Sequence, residues 1–427
     1  MTRVTMTERD IRTTTLPSGL RIVSDPMAGV ASVALGVWIG AGARCERVEE
    51  NGVSHLIEHM LFKGTRRRTA REIAEVIEDA GGQINAYTSR EVTAYYVRVL
   101  QDDTALGVDV LADLLQESAF DERELKLERD VILQEIGQAR DTPDDLIFDL
   151  FQAVAYPDQP LGRPVLGRPE VVEGATRAAL LAYRDAQYRA GNMVVAASGA
   201  IEHDRLVDLA ARAFDRLPTG MRAPFNPAVY GGGEQRDERD LEQVHLVLGF
   251  RGVGLADPDY YALSILSGLF GGGMSSRLFQ EIREKRGLVY AIDSMVSAYA
   301  DDGVFAVYAG TGEDQVGELV PVLCDEIVGL AGSIREDEVA RARAQLRASL
   351  LMGLESPGAR CEQIAQHTLS YGRVKSVDEL LGAVAAVDRD AIARLARRLF
   401  ATAPALAALG PLGRLEPLSA IARRLAA

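Results

Sequence analysis

RELKLERDVILQEIGQARDTP, residues 123–143, and DEVARARAQLRASLLMGLESP, residues 337–357, are two long helical stretches that each run into a proline. Setting Pro143 against Pro357 brings them into register, and the same order of elements surrounds both. In the first half, a strand at Val33–Ile39 precedes helices at about 52–63 and 69–79, strands at Gln83–Thr88 and Thr93–Leu100, and a helix at about 103–116. In the second half, a strand at His245–Phe250 precedes helices at about 258–270 and 275–284, strands at about 289–297 and 304–309, and a helix at about 316–330. Pro321 must sit in the first turn of that last helix or kink it. β-Branched and aromatic residues mark the strands, and apolar residues every three or four positions mark the helices. The sequence therefore predicts an α+β protein: a tandem duplication of two homologous domains, each an antiparallel-rich sheet with helices packed on one face. The domains are expected at 1–220 and 235–427, joined by the Pro/Gly-rich stretch from about 217 to 239.

A chain of 427 residues, 47% hydrophobic and 26% charged, is globular rather than disordered or fibrous. The net charge of -15 argues against a nucleic-acid partner, which calls for a basic patch, and suits basic ligands better. No apolar run reaches the ~18–20 residues of a membrane span. The polar N-terminal segment MTRVTMTERDIRTTT has no apolar stretch of a secretory leader, so a cytoplasmic protein without a membrane partner is expected. Cys45, Cys324 and Cys361 are too few and too scattered for a disulfide framework or a Cys-based zinc site.

Two of the five histidines fall in one pentapeptide, His-Leu-Ile-Glu-His, residues 55–59. Positions i and i+4 share a helix face, so both imidazoles can reach one ion. Glu58, at i+3, can contact a water beside the metal without being a ligand. The alternative is a pair of ordinary helix residues, which would need other hydrogen-bond partners. A catalytic zinc site with two His takes a third protein ligand and keeps one position open. The long helix offers Glu128 and Glu135, two turns apart on one face, although they could also be a solvated helix face. Their aligned positions in the second half are Ala342 and Ser349, and the helix matching 52–63 has no His. Metal-type residues thus occur in one copy of the duplicated unit, which a structural need common to both copies would not produce.

HLIEH is the H-x-x-E-H inverzincin pattern. With Glu135 far downstream, the chain resembles the pitrilysin and mitochondrial processing peptidase family of zinc endopeptidases. The resemblance extends over nearly the whole chain, through RCERVEENGVSHLIEHMLFKGT, INAYTSREVTAYY, ERDVILQEI and REKRGLVY. In size the chain is similar to the short bacterial members and to the processing peptidase β subunit. The resemblance implies one Zn2+ per chain on His55, His59 and Glu135, with Glu58 as general base and Glu128 supporting the site. It implies that Asn85, Ala86 and Thr88 lie on an edge strand that pairs with the substrate backbone. It further implies that Phe62 lines the pocket after the cleaved bond, and that Asp145 and Asp149 hold a basic substrate residue. Asp145 stands where that peptidase has Glu, so its reach is shorter.

From the residues alone, Arg283 is a helix-surface charge and Tyr290 a strand residue. The resemblance makes them a pair that reaches substrate and the developing oxyanion. The implied function is zinc-dependent hydrolysis of peptide bonds in short or unfolded polypeptides, inside a chamber of four domains. That requires two chains, so a homodimer is expected and a heterodimer is open. The alternatives are a non-catalytic scaffold subunit, or a subunit active only with a different partner chain.

Overall fold

The computed structural model describes residues 9–426. The start of the polar N-terminal segment, read above as lacking a leader, lies outside the described residues. Eleven strands are described: β1 Arg12–Thr15, β2 Arg21–Pro26, β3 Ser32–Ile39, β4 Gln83–Thr88, β5 Thr93–Leu100, β6 Met193–Gly199, β7 Gly233–Glu238, β8 Val244–Arg251, β9 Ala291–Ala298, β10 Gly303–Thr311 and β11 Ala405–Gly410. They form two sheets, ordered β1-β2-β6-β3-β5-β4 and β7-β11-β8-β10-β9. Dropping β1 makes the two orders equivalent. Each has one parallel pair at the corresponding place, β2 with β6 and β7 with β11, and is antiparallel elsewhere. The expected α+β duplication is the observed architecture.

The compact units are not the contiguous halves 1–220 and 235–427. One consists of the chain up to Ile136, Pro164–Phe225 and Met352–Val374; the other of Gly137–Arg163, Asn226–Leu351 and Lys375 onward. The exchanged pieces contain the helices that follow the two prolines, Pro143–Ala155 and Pro357–Tyr371. Strand alternation explains why they are needed. Val33, Leu35, Val37 and Ile39 point to a core shared with Leu56, Ile57 and Met60, whereas Ala34 and Trp38 point to the other face. There Cys361, Ile364 and Ala365 of Pro357–Tyr371 cover them. In the second unit, Leu246, Leu248 and Phe250 face one core, and Val247 faces Ile147 and Phe151 of Pro143–Ala155. Both sheets are therefore covered on both faces, not on one.

Other expectations need correction. The stretch 217–239 is not all linker, because its polar end forms edge strand β7. β6 and β11, MVVAASG and ALAALG, are buried at every residue, so they lack the two-residue alternation that reveals a half-buried strand. The helix expected at 275–284 is mostly one wide turn over Phe279–Glu284, in which Lys285 N–H reaches back five residues to the Gln280 carbonyl at 3.1 Å. Pro321 lies well inside the helix Val316–Ser333, beyond its first turn. Among the described residues, no helix is long and apolar enough to cross a membrane.

Candidate metal centre

The helix Val53–Leu61 buries Val53, Leu56, Ile57, Met60 and Leu61 against the first sheet, which leaves His55, Glu58 and His59 half-buried along its other edge. Its start is held from outside the helix. Gly52, with φ of 101°, precedes the first turn, and a Cβ there would come within 2.9 Å of the Gly167 backbone. The buried Glu46 carboxylate accepts the N–H groups of Gly52 and Ser54, each at 2.8 Å, and the Asn51 amide at 3.0 Å. This serves as a cap for orphan helix donors. Burial pushes the Glu46 carboxyl up to about 7, against the pull of those donors. Sequence reasoning missed Glu46, because it lies six residues before Gly52 and no local capping spacing marks it. Glu46→Ala is expected to cost roughly 2–6 kcal/mol, from the Gly52 and Ser54 N–H groups left unpaired at about 1–3 kcal/mol each, the Asn51 amide keeping the Pro164 carbonyl. Chemical unfolding checks this; a loss within ~0.5 kcal/mol, the size of an ordinary surface change, would show that Glu46 does not hold the helix start.

The long helix Glu122–Arg140 supplies the remaining acids. Leu125, Ile132 and Ile136 form its buried stripe, and Glu128 lies buried within it, while Glu135 sits at its edge with 39% of its side chain exposed. His55 Nε2 and His59 Nε2 lie 3.9 and 3.8 Å from the same Glu135 oxygen. His55, His59 and Glu135 each offer one ligand atom, and the three atoms lie within 4.8 Å of one another. That spacing is close to what an ion with bonds of ~2.0–2.2 Å requires. Glu128 does not belong to that group. One of its oxygens bonds His59 Nδ1 at 2.9 Å, which turns Nε2 toward the cluster, and the other pairs with Lys63 at 2.7 Å. Lys63 was not singled out from sequence, although its position four residues after His59 places it next along the same face.

The donor set fits a divalent cation. Burial and the neighbouring His59 lower the His55 pKa to about 4, so its imidazole is neutral at neutral pH, the form that coordinates. His55 Nδ1 is buried without a partner, so the other ring nitrogen is the one turned toward Glu135. Burial also raises the Glu58 pKa, opposed by the Thr88 hydroxyl and by His59. A carboxylate poised this way is a better proton acceptor than an exposed one.

The other predicted residues fall in three places. Asn85, Ala86 and Thr88 lie on β4, which is the edge of its sheet. Thr88 is close enough to Glu58 to act on its pKa. Phe62 caps the HLIEH helix and packs against Tyr95, ring centroids 6.2 Å apart. Asp145 and Asp149 lie on Pro143–Ala155, which belongs to the second unit and not to that of the cluster. Arg283 and Tyr290 also belong to the second unit. The Arg283 guanidinium lies 4.7 Å from the centre of the Phe279 ring, and the Tyr290 side chain is exposed just before β9.

Comparisons with known proteins bear on the family of the chain. Residues 21–169 match the family model "Insulinase (Peptidase family M16)", and residues 174–346 match "Peptidase M16 inactive domain". The second match covers the half that lacks the metal-type residues. A protein named an uncharacterized zinc protease from Rickettsia felis is 41% identical over 93% of this chain and 96% of its own length. One of the same description from Streptomyces coelicolor is 39% identical over 94% and 90%, and one from Bacillus subtilis is 36% identical over 95% and 99%. Among solved structures, a protease from Helicobacter pylori superposes with a TM-score of 0.88 over 95% of this chain and 100% of that one, at 22% identity. A chain of Complex III2 from Candida albicans gives 0.87 over 97% and 99%, also at 22% identity, which speaks to fold alone. With two family models and full-length relatives in agreement, the chain belongs to peptidase family M16.

Proposed function

We propose that this chain is a zinc-dependent endopeptidase acting on short or unfolded polypeptides. The observation that carries the proposal is the convergence of His55, His59 and Glu135, with half-buried Glu58 beside them and open edge strand β4 on the same unit. His55, His59 and Glu135 would hold the zinc, which when bound supplies a Lewis acid that polarises the scissile carbonyl and acidifies a water. Glu58 holds that water, takes its proton during attack, and returns it to the leaving amine. Glu128 keeps His59 oriented, and Lys63 keeps Glu128 in place. A substrate strand pairs with β4, which gives backbone recognition with little sequence demand. Phe62 is assigned to the side chain after the cleaved bond, Asp145 and Asp149 to a basic substrate residue, and Arg283 with Tyr290 to substrate and oxyanion. The test is mass spectrometry of a mixed peptide pool incubated with the purified chain alone. Internal cleavage products are expected; an untouched pool would mean that the chain is a scaffold, or needs a different subunit.

Assembly is part of the same proposal. Each chain contributes two homologous units, and the family resemblance implies four around an enclosed chamber. Light scattering should therefore give a mass near twice 46.2 kDa. A fully active species at the monomer mass would remove the chamber from the account.

A further inference from the structure

A cavity of about 690 Å³ lies beside edge strand β4, between the first sheet and the helix Pro357–Tyr371. Trp38, Asn85, Tyr87 and Tyr96 line it from the strands, and Glu362 lines it from the helix. Strand alternation separates it from the metal cluster. On β4, Ala86 packs into the core shared with the HLIEH helix and Thr88 lies near Glu58, whereas Tyr87 packs on the Trp38 face. A peptide strand added to β4 would alternate in the same way, so every second side chain would be directed to this cavity.

The chemistry of the cavity favours a cation. Glu362 accepts hydrogen bonds from Tyr87 Oη at 2.5 Å, Gln366 Nε2 at 2.9 Å and Trp38 Nε1 at 3.0 Å. All three donors are neutral, and no cation among the described residues pairs with this carboxylate. Burial and the Glu362 charge raise the Tyr87 pKa, which keeps its phenol a donor. The Tyr87 and Tyr96 rings stand 6.4 Å apart, tilted by 55°, and Trp38 completes an aromatic wall. Aromatic faces attract a cation, and long basic side chains lay their methylenes on apolar surface while the charged head reaches an acid. Arg98, the one basic residue lining the cavity, pairs with Gln83 in the strand register, whereas Tyr87 pairs with Ala94. Arg98 is exposed at the far end of the cavity's strands and is not among the hydrogen-bond or ion-pair partners of Glu362.

We infer that this cavity is a subsite for one Lys or Arg side chain of a peptide lying along β4, held by Glu362 and the Trp38, Tyr87 and Tyr96 rings. The inference rests on the peptidase reading and adds a specificity determinant to it. The experiment is a positional scan of a cleaved peptide, with Lys, norleucine and Glu placed in turn at each position. At one position Lys should raise kcat/KM over norleucine by roughly tenfold, the size of one charge-assisted contact, and Glu should lower it. Glu362→Gln should bring the Lys-to-norleucine ratio at that position to near one. If Glu362→Gln does not fold, Tyr96→Leu removes an aromatic face that takes no part in the hydrogen bonds to Glu362, and should reduce the same ratio. Trp38 is the single tryptophan of the chain, so its emission gives a readout independent of turnover. In the Glu58→Gln background it should saturate at lower concentrations of the Lys peptide than of the norleucine peptide. Cleavage with no position favouring Lys, Lys preferences unchanged at every position in a folded Glu362→Gln or Tyr96→Leu protein, or equal Trp38 titrations would overturn the subsite and leave the peptidase intact. A pool in which no peptide is cleaved would sink the reading of this chain as a peptidase on its own, and the subsite with it.

Discussion

Glu58→Gln should bind as much zinc as the unmodified protein and hydrolyse peptides roughly 10²–10⁴-fold more slowly, the span general-base catalysis contributes. The expectation follows from placement. Glu58 shares the helix with His55 and His59, yet the three atoms that converge come from the two His and Glu135. The amide keeps the size of the carboxylate, so the contact with Thr88 at the end of β4 is retained while the proton acceptor is lost. Metal analysis beside a rate measurement separates the two roles. Loss of zinc together with activity would make Glu58 a ligand.

Glu135→Gln should lower zinc occupancy more than Glu128→Gln, because one removes a bond to the ion and the other a bond to a ligand. The oriented His59 survives in the first case and loses its anchor in the second. Losing such an orienting contact typically costs ~10–100-fold in affinity or activity. Glu128→Gln also leaves Lys63 facing a neutral amide, so Lys63→Met should reproduce part of the Glu128 effect, with metal retained at high zinc. Competition with a chelator of known affinity measures all three proteins. Should the Glu128 variant alone come out metal-free, the roles of the two glutamates would be exchanged.

Much of the site was legible in the sequence because its parts are local. HLIEH and the two-turn spacing of Glu128 and Glu135 are helix-face arguments, and helix faces need no knowledge of the fold. The duplication was legible because two long amphipathic helices ending in proline stay in register. What stayed hidden depends on distant chain segments. Glu46 reaches the HLIEH helix across an intervening turn, so only the folded chain reveals it as a cap. The exchange of Pro143–Ala155 and Pro357–Tyr371 leaves no local mark, since each is an ordinary amphipathic helix whose partner sheet is not encoded in its periodicity. Glu362 and Trp38 are 324 residues apart and meet through that exchange. β6 and β11 were missed for the opposite reason, because burial on both faces erases the alternation by which strands are read.

The most direct test follows one preparation through metal removal and return. Peptide hydrolysis is measured on the purified chain, then after exhaustive chelation and removal of the chelator, then during titration with zinc. The account predicts that chelation abolishes hydrolysis and that activity returns in proportion to added zinc, levelling at one equivalent per chain. Hydrolysis that persists at full rate in the metal-free protein would contradict it.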